Sequence, residues 1–229
     1  MITMMTRRAA RRNSASPLSG LLYWWDGKGH ATSGVWVDSI NGKRVGDREN
    51  TAAYNGMGMT TGSLAQTNAT LVDSTKATLE CVIKVPSSIS TSLAYEGQFR
   101  GSYYSNPGTK RWSWGIVNGK FFFWTHVLGY LYFSNNVSAL NLGQRNALTL
   151  TFNDSVITLY VNGSRIGSVT ATNWSMPTSA EANSNKLTLM IRNEGNRWQE
   201  INSGKVWARI LSDEEILLSS AESLNYYSN

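Results

Sequence analysis

The sequence predicts an all-β protein, a sandwich of two antiparallel sheets with one short helix near its C-terminus. Three observations carry this. Short runs of alternating apolar and polar residues recur along the chain, separated by Gly, Asn, Asp and Ser. Two pairs of runs meet at Asn118-Gly119 and Asn162-Gly163, residues that supply the two positive φ values of a type I′ hairpin turn. The 229 residues include nine Trp, ten Tyr and twenty Gly but only four Pro and 16% charged residues, which suits strands and tight turns.

The elements follow in order. Residues 1–19 read as a basic arm with Arg7, Arg8, Arg11 and Arg12 and no acid. Such a segment has too little apolar surface to order itself. The sandwich is expected over 20–229, beginning with the short apolar runs of "GLLYWWDGKGH". "ATLECVIKV" is a strand with Leu79, Cys81, Ile83 and Val85 on one face. Cys81 is the only cysteine, so no intrachain disulfide forms and the thiol is expected in the core. "KRWSWGIVNGKFFFWTH" is a hairpin around Asn118-Gly119, with Trp112, Trp114 and Ile116 on one face of its first arm. "YLYFS", "NALTLTFND", "VITLYVNGSRIGSVTAT", "KLTLMIRNEG" and "QEINSGKVWARIL" supply the remaining strands. Roughly ten to thirteen strands are expected, without the βα alternation of a parallel sheet.

The helix is expected over about 212–225. Ser212 and Glu215 form an S-x-x-E capping box, and Asp213, Glu214 and Glu215 lie where the helix dipole favours negative charge. Capping therefore accounts for this acidic triplet without catalysis. Ile216, Leu217, Ser220 and Leu224 are spaced to lay a stripe on the sandwich.

The net charge of +6 is uneven, since four arginines sit in the arm and the remainder carries +2. The body is thus no nucleic-acid surface by charge. The arm itself has three readings: a solvated tail, an anchor that orders on a protein assembly, or a phosphate contact. It lacks the apolar stretch, roughly 7–15 residues, of a secretory or twin-arginine signal. No run reaches the ~20 apolar residues that span a bilayer. The Asn-x-Ser/Thr triplets at Asn68, Asn136, Asn153, Asn162 and Asn173 are expected by chance in so polar a chain.

Several chemistries can be weighed. Glycoside hydrolysis needs paired carboxylates, about 5.5 Å apart in a retaining enzyme. Glu80 and Glu96 stand alone, and Glu194 and Glu200 are separated by "GNRWQ". His30, His126 and Cys81 are too scattered for a zinc site or a nucleophile–base pair. No cofactor is expected. Calcium could use Asp26, Asp38, Asp73 or Asp154, but none lies in a dense acidic loop. Sugar binding would use aromatic faces beside polar groups. Tyr103, Tyr104, Arg111, Trp112, Trp114 and Trp124 are candidates, with Trp198 in "RNEGNRWQ" as a second centre. Trp112 and Trp114 also fit an inward core stripe, so both readings stay open.

Three segments, in order, resemble one family. "SWGIVNGKFFFW" looks like an upstream hairpin of laminin G-like domains, and "NALTLTFNDSVITLYVNGSRIGSVTA" resembles their strand, Asp-containing turn and "LYVNG" hairpin. "INSGKVWARILSDEEI" is similar to their last strand running into a capped helix. There Arg209, Leu211, Ser212, Glu214 and Glu215 match, while Trp207 and Ala208 replace the commoner Tyr and Asn. The resemblance implies a concanavalin A-like jelly roll, a fold that hosts sugar binders, glucanases and adhesion modules.

Without paired carboxylates, the function implied is a non-catalytic structural or adhesion subunit. Proteins of this build resemble bacteriophage virion accessories: head decorations, fibres or tail components. The expected partners are other virion proteins, further copies of the chain, or a cell-surface glycan, with virion localisation. The alternative is a secreted bacterial carbohydrate-binding module in the extracellular space, and a glycoside hydrolase comes third.

Overall fold

The computed structural model describes residues 18–28, 35–40, 44–47, 53–67, 75–89, 95–102, 112–174, 186–191 and 199–228. The arm with Arg7, Arg8, Arg11 and Arg12 lies outside them, as do Tyr104, Arg111 and Trp198.

Fifteen strands and one long helix occur among the described residues. The strands are β1 (Leu21–Asp26), β2 (Val35–Val37), β3 (Arg44–Asp47), β4 (Ala53–Tyr54), β5 (Met59–Thr67), β6 (Lys76–Lys84), β7 (Tyr95–Ser102) and β8 (Trp112–Val117). They continue with β9 (Lys120–Thr125), β10 (Gly129–Asn136), β11 (Arg145–Asn153), β12 (Val156–Val161), β13 (Ser164–Thr170), β14 (Lys186–Ile191) and β15 (Glu200–Trp207). The helix α1 spans Asp213–Ser228.

Every pairing is antiparallel. One sheet runs β1-β15-β6-β11-β12-β13, and the other runs β2-β3-β5-β14-β7-β8-β9-β10. The start of β5 touches the first sheet, where Met59 stands opposite Ile201. At the far side the edges β10 and β13 approach each other. Ser134 Oγ donates to the Ile166 carbonyl over 3.4 Å, and a Cβ on Gly167 would come within 2.7 Å of that hydroxyl. A glycine is needed there for two sheet edges to meet so closely.

Both Asn-Gly turns have the expected geometry. Asn118 and Gly119 have φ of 51° and 67°, and Asn162 and Gly163 have 52° and 81°. Period-two alternation then fills the space between the sheets. Leu79, Cys81, Ile83 and Val85 of the β6 segment meet Leu148, Leu150 and Phe152 of β11 and Trp112, Trp114 and Ile116 of β8 in one core. Six of the nine tryptophans, Trp25, Trp36, Trp112, Trp114, Trp174 and Trp207, are buried. The tryptophan count is therefore mostly a packing feature.

The helix departs from expectation at its end and at one position of its contact stripe, Leu217. The capping box forms reciprocally: the Glu215 amide donates to Ser212 Oγ at 3.3 Å, and the Ser212 amide to Glu215 Oε2 at 2.9 Å. The helix continues to Ser228, however, and Leu217 is 53% exposed. The buried face is Glu215, Ile216, Ser219, Ser220, Ser223 and Tyr227, with Leu224 partly buried beside it, so Ile216, Ser220 and Leu224 of the expected stripe lie on the sandwich and Leu217 does not. The reason lies in the sheet beneath, whose outward face presents Thr78, Glu80, Thr149 and Lys205, all buried. A polar floor selects hydroxyls over leucine, since buried polar atoms require partners.

Candidate functional site: the outer face of the β9–β10 hairpin

Alternation along β9 sends Phe121 and Phe123 into the core and Phe122 and Trp124 to the opposite face. In β10, Leu131 and Phe133 pack inward while Tyr130 and Tyr132 point out. Register places Tyr130 opposite Trp124 and Tyr132 opposite Phe122, so four aromatic residues share the outer face. Exposure rises toward the β10 edge. Phe122 is buried and Trp124 half-buried, whereas Tyr130 and Tyr132 are 43% and 46% exposed.

The rings form an ordered surface. The Tyr130 and Tyr132 planes are within 16° of parallel, with centroids 6.2 Å apart. Phe122 supports Tyr130 edge-on at 4.9 Å. Trp124 meets the exposed His126 at 6.2 Å in an edge arrangement. Residues 126–128 turn between the strands, pinned by the Leu128 amide donating to Thr125 Oγ1 at 3.0 Å. Val127 and Leu128 are also exposed there. Exposed apolar and aromatic side chains thus lie side by side on this face, which makes it the candidate site. Its chemistry is ring stacking against flat apolar surface, with the Tyr132 hydroxyl and the His126 imidazole as polar groups beside the rings.

Of the residues proposed from the sequence that lie among the described residues, Trp124 alone falls on this face. Trp112 and Trp114 are corrected. Both are fully buried, and Trp112 packs against Phe123 at 5.9 Å and Phe152 at 5.5 Å. Their alternation phase on β8 points between the sheets, so no ligand can reach them. Tyr130 and Tyr132 were missed. The signal was present in "YLYFS", where alternation puts both tyrosines on one face and Leu131 and Phe133 on the other.

The candidate calcium ligands have other partners. Asp26 accepts from Tyr226 Oη at 2.7 Å, Tyr227 Oη at 2.5 Å and the Lys28 amide at 2.9 Å. Asp38 accepts from the amides of Trp24 and Ile40, and Asp154 from Thr75 Oγ1. Asp73 lies outside the described residues. Among the described residues no cluster of three His, Cys, Asp or Glu side chains could hold a metal.

The buried acids are likewise engaged. Glu80 receives hydroxyls from Ser219, Ser220, Ser223 and Thr149 and lies 3.5 Å from Lys205 Nζ. Burial raises the Glu200 carboxyl pKa, but hydrogen bonds from Asn55, Asn202 and Arg145 outweigh it and leave the value below its ordinary range. Under the helix, a cavity of about 200 Å³ is walled by Trp24, Tyr226 and Tyr227. Tyr226 is pushed up to about 12, first by its hydrogen bond to Asp26 and then by burial.

Residues 58–217 match the family model described as "Concanavalin A-like lectin/glucanases superfamily". No curated protein matches the chain. Among solved structures, the receptor binding domain of botulinum neurotoxin D aligns at TM-score 0.62 and 16% identity, over 91% of this chain and 54% of that one. The serotype D ligand binding domain in complex with N-acetylneuraminic acid aligns at TM-score 0.61 and 16% identity, over 90% and 53%. A Trypanosoma rangeli sialidase in complex with sialic acid aligns at TM-score 0.60 and 14% identity, over 92% and 34%. This chain thus spans about half the length of the neurotoxin structures and a third of the sialidase. At these identities the likeness concerns the fold.

Proposed function

Because the chain belongs to the concanavalin A-like lectin/glucanases superfamily, we propose that it is a non-catalytic adhesion module whose β9–β10 face binds a glycan. The observation that carries this is the near-parallel pair of exposed rings, Tyr130 and Tyr132, beside Trp124. Pyranose rings present flat C–H faces to such surfaces, while their hydroxyls reach the polar rim. Two structural neighbours were solved with N-acetylneuraminic or sialic acid bound, which favours a glycan over other partners.

The non-catalytic part rests on the acids. The sequence has no paired-carboxylate strand motif, and Glu80, Glu200 and Glu215 are buried in hydrogen-bonded networks. An acid so engaged is poorly placed to protonate a glycosidic oxygen. The setting in a bacteriophage virion belongs to the same reading. Its supports are the basic arm and the resemblance to virion accessories, with Arg7, Arg8, Arg11 and Arg12 as the anchor on a particle.

A glycan array probed with the full chain, with and without calcium, tests the reading. The expected result is selective binding that falls at least tenfold in Tyr132→Ala and Trp124→Ala. Binding to no glycan, or binding indifferent to both substitutions, overturns it.

A further inference from the structure

On the helix side of the first sheet, beside the last turns of the helix at Leu224 and Ser228, lies a hollow of about 490 Å³. Its lining includes Lys84, Asn141, Gln144, Arg145 and Ser228. Register explains how it arises. Arg145 of β11 stands directly opposite Lys84 of β6, and Lys84 directly opposite Glu200 of β15. Residues paired across neighbouring strands share a face, so two cations and one acid sit side by side. Like charges directly opposite each other are unfavourable, so this pair of cations needs negative charge.

Glu200 satisfies only one of them. Its Oε1 accepts from Arg145 Nε at 3.2 Å and Nη2 at 2.7 Å, and also from Asn202 Nδ2 at 2.5 Å, while Asn55 Nδ2 donates to Oε2 at 2.5 Å. Three side chains, Arg145, Asn202 and Asn55, thus share this carboxylate. Among the described residues, neither the Lys84 ammonium nor Arg145 Nη1 has a partner. At the helix end it is Lys28 whose Nζ donates to the Tyr226 carbonyl, at 2.9 Å. Among the described residues no acidic side chain lines the hollow.

The rim is braced. Buried Asn146 accepts from the Asn141 amide at 2.8 Å and donates to the carbonyls of Asn141 and Gln144 at 3.0 and 3.1 Å. The Val85 amide also donates to Gln144, and the Gly143 amide to Pro86. The loop's backbone is therefore preset, and the exposed carboxamides of Asn141 and Gln144 stand at its edge. Among the described residues no aromatic ring lines the hollow, so a ligand there would be held by charge and hydrogen bonds.

We infer that the hollow between Lys84, Arg145 and the 141–144 loop binds an acidic sugar, its carboxylate on Lys84 and Arg145 and its hydroxyls on Asn141, Gln144 and Ser228. The arrangement supplies two cationic donors at one end and uncharged hydrogen-bonding groups at the other, with a volume ample for one ring. This site is separate from the β9–β10 face and does not depend on it.

The test uses the full chain, isotope-labelled, titrated at constant ionic strength with sodium D-glucuronate, D-glucose and sodium sulfate. Saturable shifts of the Asn141 and Gln144 side-chain amides are expected with glucuronate, at least tenfold weaker with either of the others. Lys84→Ala should weaken glucuronate binding at least tenfold, and Lys84→Met offers the same test if shortening the side chain impairs folding. Lys120→Ala, which removes an exposed lysine at the β8–β9 turn, should leave it unchanged. Absence of saturable shifts, equal response to sulfate, or indifference to the Lys84 substitutions overturns the proposal. A glycan array negative at the β9–β10 face leaves this outcome untouched, because the probe and the reporting amides belong to the hollow alone.

Discussion

Ser223 of the helix donates its hydroxyl to the Glu80 carboxylate over 2.7 Å, and the same hydroxyl accepts from Lys205 Nζ over 2.7 Å. The last element of the chain is thus tied to the middle of the first sheet by a buried ion pair bridged through serine. Removing one partner of a buried pair leaves the other charge uncompensated, at a cost of about 3–5 kcal/mol. Glu80→Ala is therefore expected to lower unfolding stability by about 3 kcal/mol and to reduce amide protection across 213–228. Urea denaturation and hydrogen exchange measure the two effects. An unchanged urea midpoint would show that the helix is held by its apolar contacts instead.

Acid should loosen the helix start. Bidentate hydrogen bonding from Arg209 is the main cause that holds Glu215 down to about 2; burial opposes it, and the Ser212 amide adds to it. A depressed folded pKa gives stability that is present above the ordinary carboxylate value of 4.5 and is lost as pH falls toward 2. With the Arg209 side chain 30% exposed, solvent screening leaves a loss on the order of 1–2 kcal/mol. The urea midpoint should hold from neutral pH to about 5 and then fall. Glu215→Gln should flatten that fall.

The two hairpin asparagines should differ. Both hold positive φ, which costs an ordinary residue about 1–2 kcal/mol. Asn162 also accepts from the Ala147 amide at 2.9 Å and donates to Asn146 Oδ1 at 3.0 Å, and unmaking buried hydrogen bonds adds about 1 kcal/mol or more. Thermal melts should place Asn162→Ala below Asn118→Ala. Equal melting points would mean the side-chain bonds contribute nothing.

Cys81 should resist modification. Burial, and secondarily the Glu80 charge, push the thiol pKa well up, and the side chain has no exposure. A thiol reagent should label the native chain only at the unfolding rate and the denatured chain at once. Fast labelling without denaturant would contradict the packing.

Much of the fold was legible because it depends on local rules. Asn-Gly pairs dictate turns, alternation dictates which face of β6 and β8 is inward, and Ser212 with Glu215 dictates the helix start. The helix face was legible at Ile216, Ser220 and Leu224 but not at Leu217, because Leu217 and Ser220 satisfy the same spacing. The choice between them is made by Glu80 and Lys205, more than a hundred residues away in one case. The candidate site was half legible for the same reason. Counting tryptophans pointed to Trp112 and Trp114, yet an inward phase hides both, and the exposed rings are tyrosines on the neighbouring edge strand.

The most direct test of the central reading follows the tryptophan indole N–H signals while a glycan selected on the array is titrated. Trp124 is the described tryptophan on the β9–β10 face, whereas Trp112 and Trp114 lie sealed between the sheets. The Trp124 indole signal is expected to shift to saturation while those of Trp112 and Trp114 stay in place. Saturating shifts elsewhere with Trp124 unmoved would contradict it and place the ligand on another surface.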